Sequence, residues 1–216
     1  MHIEKQKTYH GIIIFGEMAS GKDTLADYLL EVNPKCCKYN IGNAVRQFLS
    51  IIKVNPEFKG KNRILGQSIA DKLREVHPDI LNDYCLSLIY EKWEKILEFS
   101  AMNNYDNLDF HTALLHKLDL IIEKEIPLVV GGRTYQDFDY WCNKNFLTVG
   151  IICNFEKRYA RLCKRDGLEV AQNSNFKHNT EIDVGFIAKN KCEFVIDNDG
   201  DFNHLYKQAD QLLKKF

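Results

Sequence analysis

The chain has 216 residues, 45% of them hydrophobic and 27% charged, which fits one globular domain and excludes the disordered and coiled-coil classes. Its formal net charge of −1 removes the overall basic charge of a duplex-binding protein, so no nucleic-acid partner is expected. No apolar run approaches the roughly 20 residues of a membrane span, so no membrane partner is expected either.

Gly11 to Phe15 is a short β-branched stretch bounded by Gly16, the pattern of a fully buried parallel strand. Asp23 to Glu31 then sets Leu25, Ala26, Leu29 and Leu30 on one helical face, so the chain opens as strand, glycine-rich turn and helix. A second strand is expected near Cys37 to Ile41. The helix after it carries Ala44, Val45, Phe48 and Ile51, and Pro56 and Gly60 close that unit. Helical spacing returns at Arg63 to Glu75, is broken by His77-Pro78-Asp79, and resumes from Ile80 to about Met102. Past Asn103-Asn104 it runs from Leu108 to Lys124. Strand character returns at Ile126 to Val130, Leu147 to Cys153 and Glu193 to Ile196, each followed by a helical pattern.

This alternation predicts a parallel α/β sheet with helices on both faces. With no internal repeat or linker, residues 1–216 are expected as one domain, with its core in 9–60 and 126–216, a helical acceptor region over about 42–125, and a lid over about 158–182. The seven cysteines (Cys36, Cys37, Cys85, Cys142, Cys153, Cys163 and Cys192) form no C-x-x-C pair. They are expected as small core side chains in a reducing, cytoplasmic setting. Trp93 and Trp141 are likewise expected in the core.

The segment Gly16-Glu17-Met18-Ala19-Ser20-Gly21-Lys22-Asp23-Thr24 joins the first strand to the first helix. In such a loop successive backbone N–H groups surround phosphate oxygens, the glycines allow close approach, and the helix N-terminus adds its dipole. Gly16, Ala19, Ser20, Gly21, Lys22, Asp23 and Thr24 are therefore candidate ATP-binding residues, with Lys22 reaching the terminal phosphates. Asp23 stands where a Ser or Thr hydroxyl usually touches Mg²⁺. A carboxylate beside phosphates needs a bridging cation or its waters, so Asp23 is a candidate Mg²⁺ residue; the alternative is that it only favours the helix N-terminus.

Gly-Lys-Asp-Thr followed by Leu25-Ala26-Asp27-Tyr28-Leu29 resembles the opening of phage-type deoxynucleoside monophosphate kinases and their P-loop relatives. Three later segments resemble that family too: Arg63-Ile64-Leu65-Gly66-Gln67 with Asp71 and Arg74, Val129-Val130-Gly131-Gly132-Arg133, and Val195-Ile196-Asp197-Asn198-Asp199-Gly200. The resemblance implies a P-loop NTPase fold with a five-stranded parallel sheet in order 2-3-1-4-5. It also implies ATP and Mg²⁺ as cofactors, Asn198 and Gly200 near the ATP base, and Arg63, Gln67, Asp71 and Arg74 on the acceptor side. Two departures stand out: Gly131 replaces the Asp that usually lies two residues before the arginine, and the helical stretch between Ile80 and Lys124 is longer than in the family.

Phosphoryl transfer requires that moving charge be held in line, usually by Lys, Arg and Mg²⁺. Arg158, Arg161 and Arg165 fall at i, i+3 and i+7 of one helix and are expected on one face beside the moving group, or else as a solvated face paired with Glu156 and Asp166. Arg133 follows a buried strand at the carboxyl end where open α/β sheets bind ligands. Arg46, Arg63 and Arg74 are candidate phosphate clamps on the acceptor side. His178 falls in a polar lid loop. The first strand and loop show no obvious extra base, and the arginine excess favours an acceptor that already carries phosphate. The expected function is transfer from ATP to a nucleoside or deoxynucleoside monophosphate by a monomer or homodimer. The alternatives are a kinase of another metabolite, such as a dephospho-coenzyme A-like or phosphomevalonate-like acceptor, and a non-catalytic ATP-binding module.

Overall fold

The computed structural model describes residues 9–51, 62–101, 110–172, 174, 176 and 179–216. Five strands, β1 (Ile12–Phe15), β2 (Cys36–Asn40), β3 (Ile126–Gly132), β4 (Leu147–Ile152) and β5 (Phe194–Asp197), form one parallel sheet in the order β2-β3-β1-β4-β5. In chain order the helices are α1 (Lys22–Val32), α2 (Asn43–Ile51), α3 (Asn62–Val76), α4 (Ile80–Ala101), α5 (Phe110–Ile122), α6 (Tyr135–Cys142), α7 (Phe155–Asp166), α8 (Leu168–Gln172), α9 (Asn179–Asn190) and α10 (Phe202–Leu213).

The central position of β1 explains its unbroken apolar sequence, because both of its faces are covered. Ile13 and Phe15 enter one core with Leu81, Cys85 and Ile89 of α4 and Val184 and Ile187 of α9. Ile12 and Ile14 enter a second core with Leu25 and Leu29 of α1 and Leu205, Ala209 and Leu212 of α10. The sheet order matches the expected 2-3-1-4-5. Strand ends shift by one or two residues from those expected: β1 starts at Ile12, β2 lies one residue earlier, β4 stops at Ile152, β5 lies one residue later, and β3 runs on to Gly132, because Phe15 still pairs with Gly132 after a register shift at the end of β1.

Trp141 is fully buried, packed edge-on against Tyr140 and Phe146, as its size and apolar setting imply. All seven cysteines are free, and Cys36, Cys85 and Cys153 are buried. Among the described residues no helix is long and apolar enough to cross a membrane. Pro56, Gly60, Asn103, Asn104 and His178, and the side chain of Trp93, lie outside the described residues.

One glycine sets how closely a helix can approach the sheet. A Cβ on Gly150 of β4 would run into the backbone carbonyl of Ala188 on α9, and neither the strand nor the helix backbone can yield cheaply. A Cβ on Gly66 of α3 meets nothing closer than 3.7 Å. Gly150→Ala is expected to lower unfolding free energy by about 2 kcal/mol or more, read as a fall in the urea midpoint. Gly66→Ala is expected to raise it by about 0.5–1 kcal/mol through helix propensity.

Candidate functional site

The phosphate loop leaves the carboxyl end of β1 and turns through two left-handed residues, Ala19 (φ 60°) and Gly21 (φ 105°), before α1 begins at Lys22. Alternating conformations of this kind form an anion-binding concavity of backbone N–H groups. A side chain at Gly21 would collide with the amide of Asn198, and one at Gly16 with the carbonyl of Ile151, so both glycines are fixed by close approach. Lys22 is folded back under the loop, where its Nζ donates to Gly16 O (2.6 Å) and Glu17 O (2.8 Å). Burial, helped by the nearby Arg133 guanidinium, pushes the Lys22 ammonium down to about 7. Ser20 Oγ is buried without a hydrogen-bond partner among the described residues.

Three carboxylates that the sequence pattern did not single out organise the cations around this loop. Glu181 of α9, buried, accepts the Met18 N–H through Oε2 (2.8 Å) and forms an ion pair with Arg133 through Oε1. Glu17 pairs with Arg158 Nη2 at 2.8 Å. Burial raises the Glu17 carboxyl above its ordinary range against the pull of Arg158, and the charge of Glu181 adds to the rise. Asp137, fully buried in α6, accepts from Arg133 N–H (2.8 Å), Thr134 N–H (3.2 Å) and Asn82 Nδ2 (2.9 Å), and lies 3.4 Å from Arg74 Nη2. The Thr134 side chain closes a capping box with Asp137, a T-x-x-D signature present in the sequence. The reach of Asp137 to α3 and α4 has no local signal.

Two cavities meet over the loop. The first, about 630 Å³, lies between the loop and helices α2 and α3; its polar lining includes Arg46, Gln67, Asp71 and Arg74 together with Lys22, Asp23, Asn40, Arg133 and Arg165. Arg46 is steadied by Asn43 Oδ1 at 2.7 Å, and Arg74 Nε is buried without a hydrogen-bond partner among the described residues. The second, about 550 Å³, is lined by Gly21, Lys22, Asp23, Thr24, Arg161, Arg165, Asn198, Gly200, Asp201 and Phe202. Ala19, Lys22, Asp23 and Arg165 line both, so the shared wall is the phosphate loop. The side chain of Arg63 lies outside the described residues.

The three arginines of α7 do not act as one face. Arg165 reaches both cavities and pairs with Asp166, while Arg161 donates to Asn198 O (2.9 Å). Arg158 corrects the expectation that all three flank the moving group. It is buried behind the loop, donating to Cys153 O (3.1 Å) and Met18 O (3.4 Å), and lines neither cavity. There its guanidinium is met by two backbone carbonyls and the Glu17 carboxylate.

Asp23 has a partner the sequence did not indicate, since Lys38 of β2 bridges Asp23 and Asp27 at 2.9 Å each. Burial pushes the Asp23 carboxyl up, but the hydrogen bond and charge of Lys38 outweigh this and hold it below the usual range. Among the described residues no group of three His, Cys, Asp or Glu side chains is placed to hold a metal. Mg²⁺ bound with nucleotide needs only one or two protein oxygens beside phosphates and water, and the ionised Asp23 with the Thr24 hydroxyl can supply them. Gly131, where the resemblance expects an Asp, has φ 96° and lies 3.1 Å from Asn40 Oδ1 at its Cβ position, a conformation that favours glycine.

A parallel β2-β3-β1-β4-β5 sheet with a glycine-lysine loop between its central strand and the following helix defines the P-loop NTPase class. No family model matches the chain. A dephospho-CoA kinase of Prochlorococcus marinus is 28% identical over 206 residues, covering 93% of this chain and 90% of that protein. The crystal structure of TT1252 from Thermus thermophilus matches over 96% of this chain and 98% of that one, at 17% identity and a TM-score of 0.45.

The depressed Lys22 gives the loop a proton-linked affinity. Phosphate anions favour the ammonium form and raise its pKa from about 7, so ADP binding at pH 8 is expected to take up nearly one proton, and affinity to fall as pH rises from 7 to 9. Calorimetry in two buffers of different ionisation enthalpy reads the uptake directly; in Lys22→Met it should vanish.

Proposed function

We propose that the protein is an ATP-dependent phosphotransferase that phosphorylates a small phosphate-bearing acceptor, a nucleoside or deoxynucleoside monophosphate. The observation that carries this reading is the charge of the first cavity. Five cations, Lys22, Arg46, Arg74, Arg133 and Arg165, line it with two carboxylates, Asp23 and Asp71, while Glu181, Asp137 and Asp166 also pair with Arg133, Arg74 and Arg165. Cations so concentrated on one wall would attract an anionic acceptor, whose own oxygen would be the nucleophile and needs no strong general base. Arg74 Nε, which has no hydrogen-bond partner among the described residues and belongs to a guanidinium oriented by Asp137, is a donor that an acceptor phosphate would satisfy. ATP would lie in the second cavity with its terminal phosphate over Lys22, at the wall both cavities share. Lys22, Arg133 and Arg165 would then stabilise the charge passing between them. Mg²⁺, held by Asp23 in part through water, would neutralise the nucleotide phosphates.

The likeness to a dephospho-CoA kinase supports an ATP-dependent small-molecule kinase and favours a second reading, in which the acceptor presents a hydroxyl. Asp71, which lines the first cavity, would be the carboxylate that takes its proton in that reading.

Incubation with ATP, Mg²⁺ and a panel of ribo- and deoxyribonucleoside monophosphates and dephospho-CoA separates the two. Turnover on monophosphates supports the first reading, and turnover on dephospho-CoA alone replaces it with the second. Slow ATP hydrolysis indifferent to every acceptor sinks both. Lys22→Ala is expected to abolish ADP release. Arg74→Ala is expected to raise acceptor KM about 10- to 100-fold, the worth of a charge-assisted hydrogen bond, with a far smaller effect on KM for ATP.

A further inference from the structure

The donor side of the site carries an aromatic surface that phosphate binding does not require. Phe202, the first residue of α10, is 65% exposed and lines the second cavity beside Asp201 and Arg161. Its ring is braced rather than loose. It lies 5.9 Å from Tyr206 at an interplanar angle of 25°, and Tyr206 stacks on Tyr28 of α1 at 3.9 Å and 5°. The Tyr28 hydroxyl donates to Asp210 at 2.8 Å, fixing the far end of the row. Three rings thus run from α1 to the cavity and end there on an apolar face in water, a face that a planar base would cover.

Several polar groups on the neighbouring turn, those of Asn198 above all, are already engaged within the chain. Asn198 Nδ2 donates to Ser20 O (2.7 Å), Asn198 N–H to Ile152 O (2.8 Å), and Asn198 O accepts from Arg161 Nη2 (2.9 Å). Asp199 N–H donates to Asp197 Oδ1 (2.9 Å), and Asp201 Oδ1 caps α10 by accepting from His204 N–H (2.8 Å). Strong discrimination between bases needs donors and acceptors set against the base edge, whereas a ring face serves every base.

We propose that Phe202 is the stacking platform for the donor base and that it makes the protein broad in its donor, accepting ATP and GTP with similar affinity. The inference rests on the reading of the second cavity as the nucleotide-donor site. Dissociation constants for ADP, GDP and inorganic tripolyphosphate, measured by calorimetry on wild type, Phe202→Ala and Phe202→Trp, test it. ADP and GDP are expected to bind wild type within about 5-fold of each other, and Phe202→Ala to weaken both by about 5- to 30-fold, the range of one lost base stack. Tripolyphosphate affinity and Tm should be unchanged in Phe202→Ala because the ring is mostly in solvent, and Phe202→Trp should restore binding of both nucleotides. A preference for ADP over GDP of about 50-fold or more would mean that the base edge is read, by Asp201 or a backbone group, and overturns the proposal. Unchanged ADP affinity in Phe202→Ala overturns it as well, while tripolyphosphate binding leaves the phosphate-loop reading standing. Failure to bind any of the three overturns both.

Discussion

Charge drawn out of water is the constraint around which this molecule is arranged. Lys22 and Arg158, both buried, and the half-buried Arg133 converge on the phosphate loop, and a buried cation costs several kcal/mol unless something of opposite charge meets it. Glu181 and Glu17 meet two of the three. Glu181 does more than pair, because its second oxygen takes the Met18 N–H, so one carboxylate joins α9, the end of β3 and the loop. Lys22 is met instead by the neutral carbonyls of Gly16 and Glu17, and burial loosens its hold on its proton against the pull of Glu181 and Asp23. A phosphate beside Nζ would supply the opposite charge that those carbonyls do not.

What could be read from the sequence divides along the distance between interacting residues. The order of strands and helices, the apolar sequence of β1 and the loop spacing are local, and each follows from periodicity or from turn geometry. The pairings that give the site its shape are not local. Met18 and Glu181 are 163 positions apart, and Arg74 and Asp137 are 63 apart. No periodicity marks Glu181, an acidic residue in the first turn of a helix, where helix dipole alone would account for it. Thr134 and Asp137 did carry a readable capping signature, but the cap accounts for only part of what that carboxylate does. Asp23 shows the converse problem: an acid beside a phosphate loop pointed to a metal, whereas its protein partner, Lys38, sits on a strand whose register no local pattern reveals.

The sheet order has a chemical consequence as well as a structural one. With β1 in the middle, the loop at its end has β3 on one side and β4 on the other. The helix following β2 and the turn directly after β3 therefore bring Arg46 and Arg133 to one flank, while the turn after β5 brings Asn198 and Gly200 to the other. Two cavities sharing the wall of Ala19, Lys22, Asp23 and Arg165 follow from that topology, whatever molecules fill them.

Helix α7 shows how the same arrangement limits motion. Its first turns are locked in place, with Arg158 tied to Cys153 O, Met18 O and Glu17, and Leu162 fully buried against Met18 and Ala171. Its last turn is different, since Lys164 and Arg165 are exposed and Arg165 is held by its own neighbour, Asp166. Swinging the whole helix would strip partners from a buried guanidinium and open the Met18–Leu162 contact, each costing several kcal/mol. Movement at the last turn breaks only an exposed ion pair worth about 0–1 kcal/mol. Any closure over the loop is therefore cheapest beyond Leu162, which leaves Arg165 as the arginine of this helix free to follow a ligand and Arg158 as part of the frame it moves against.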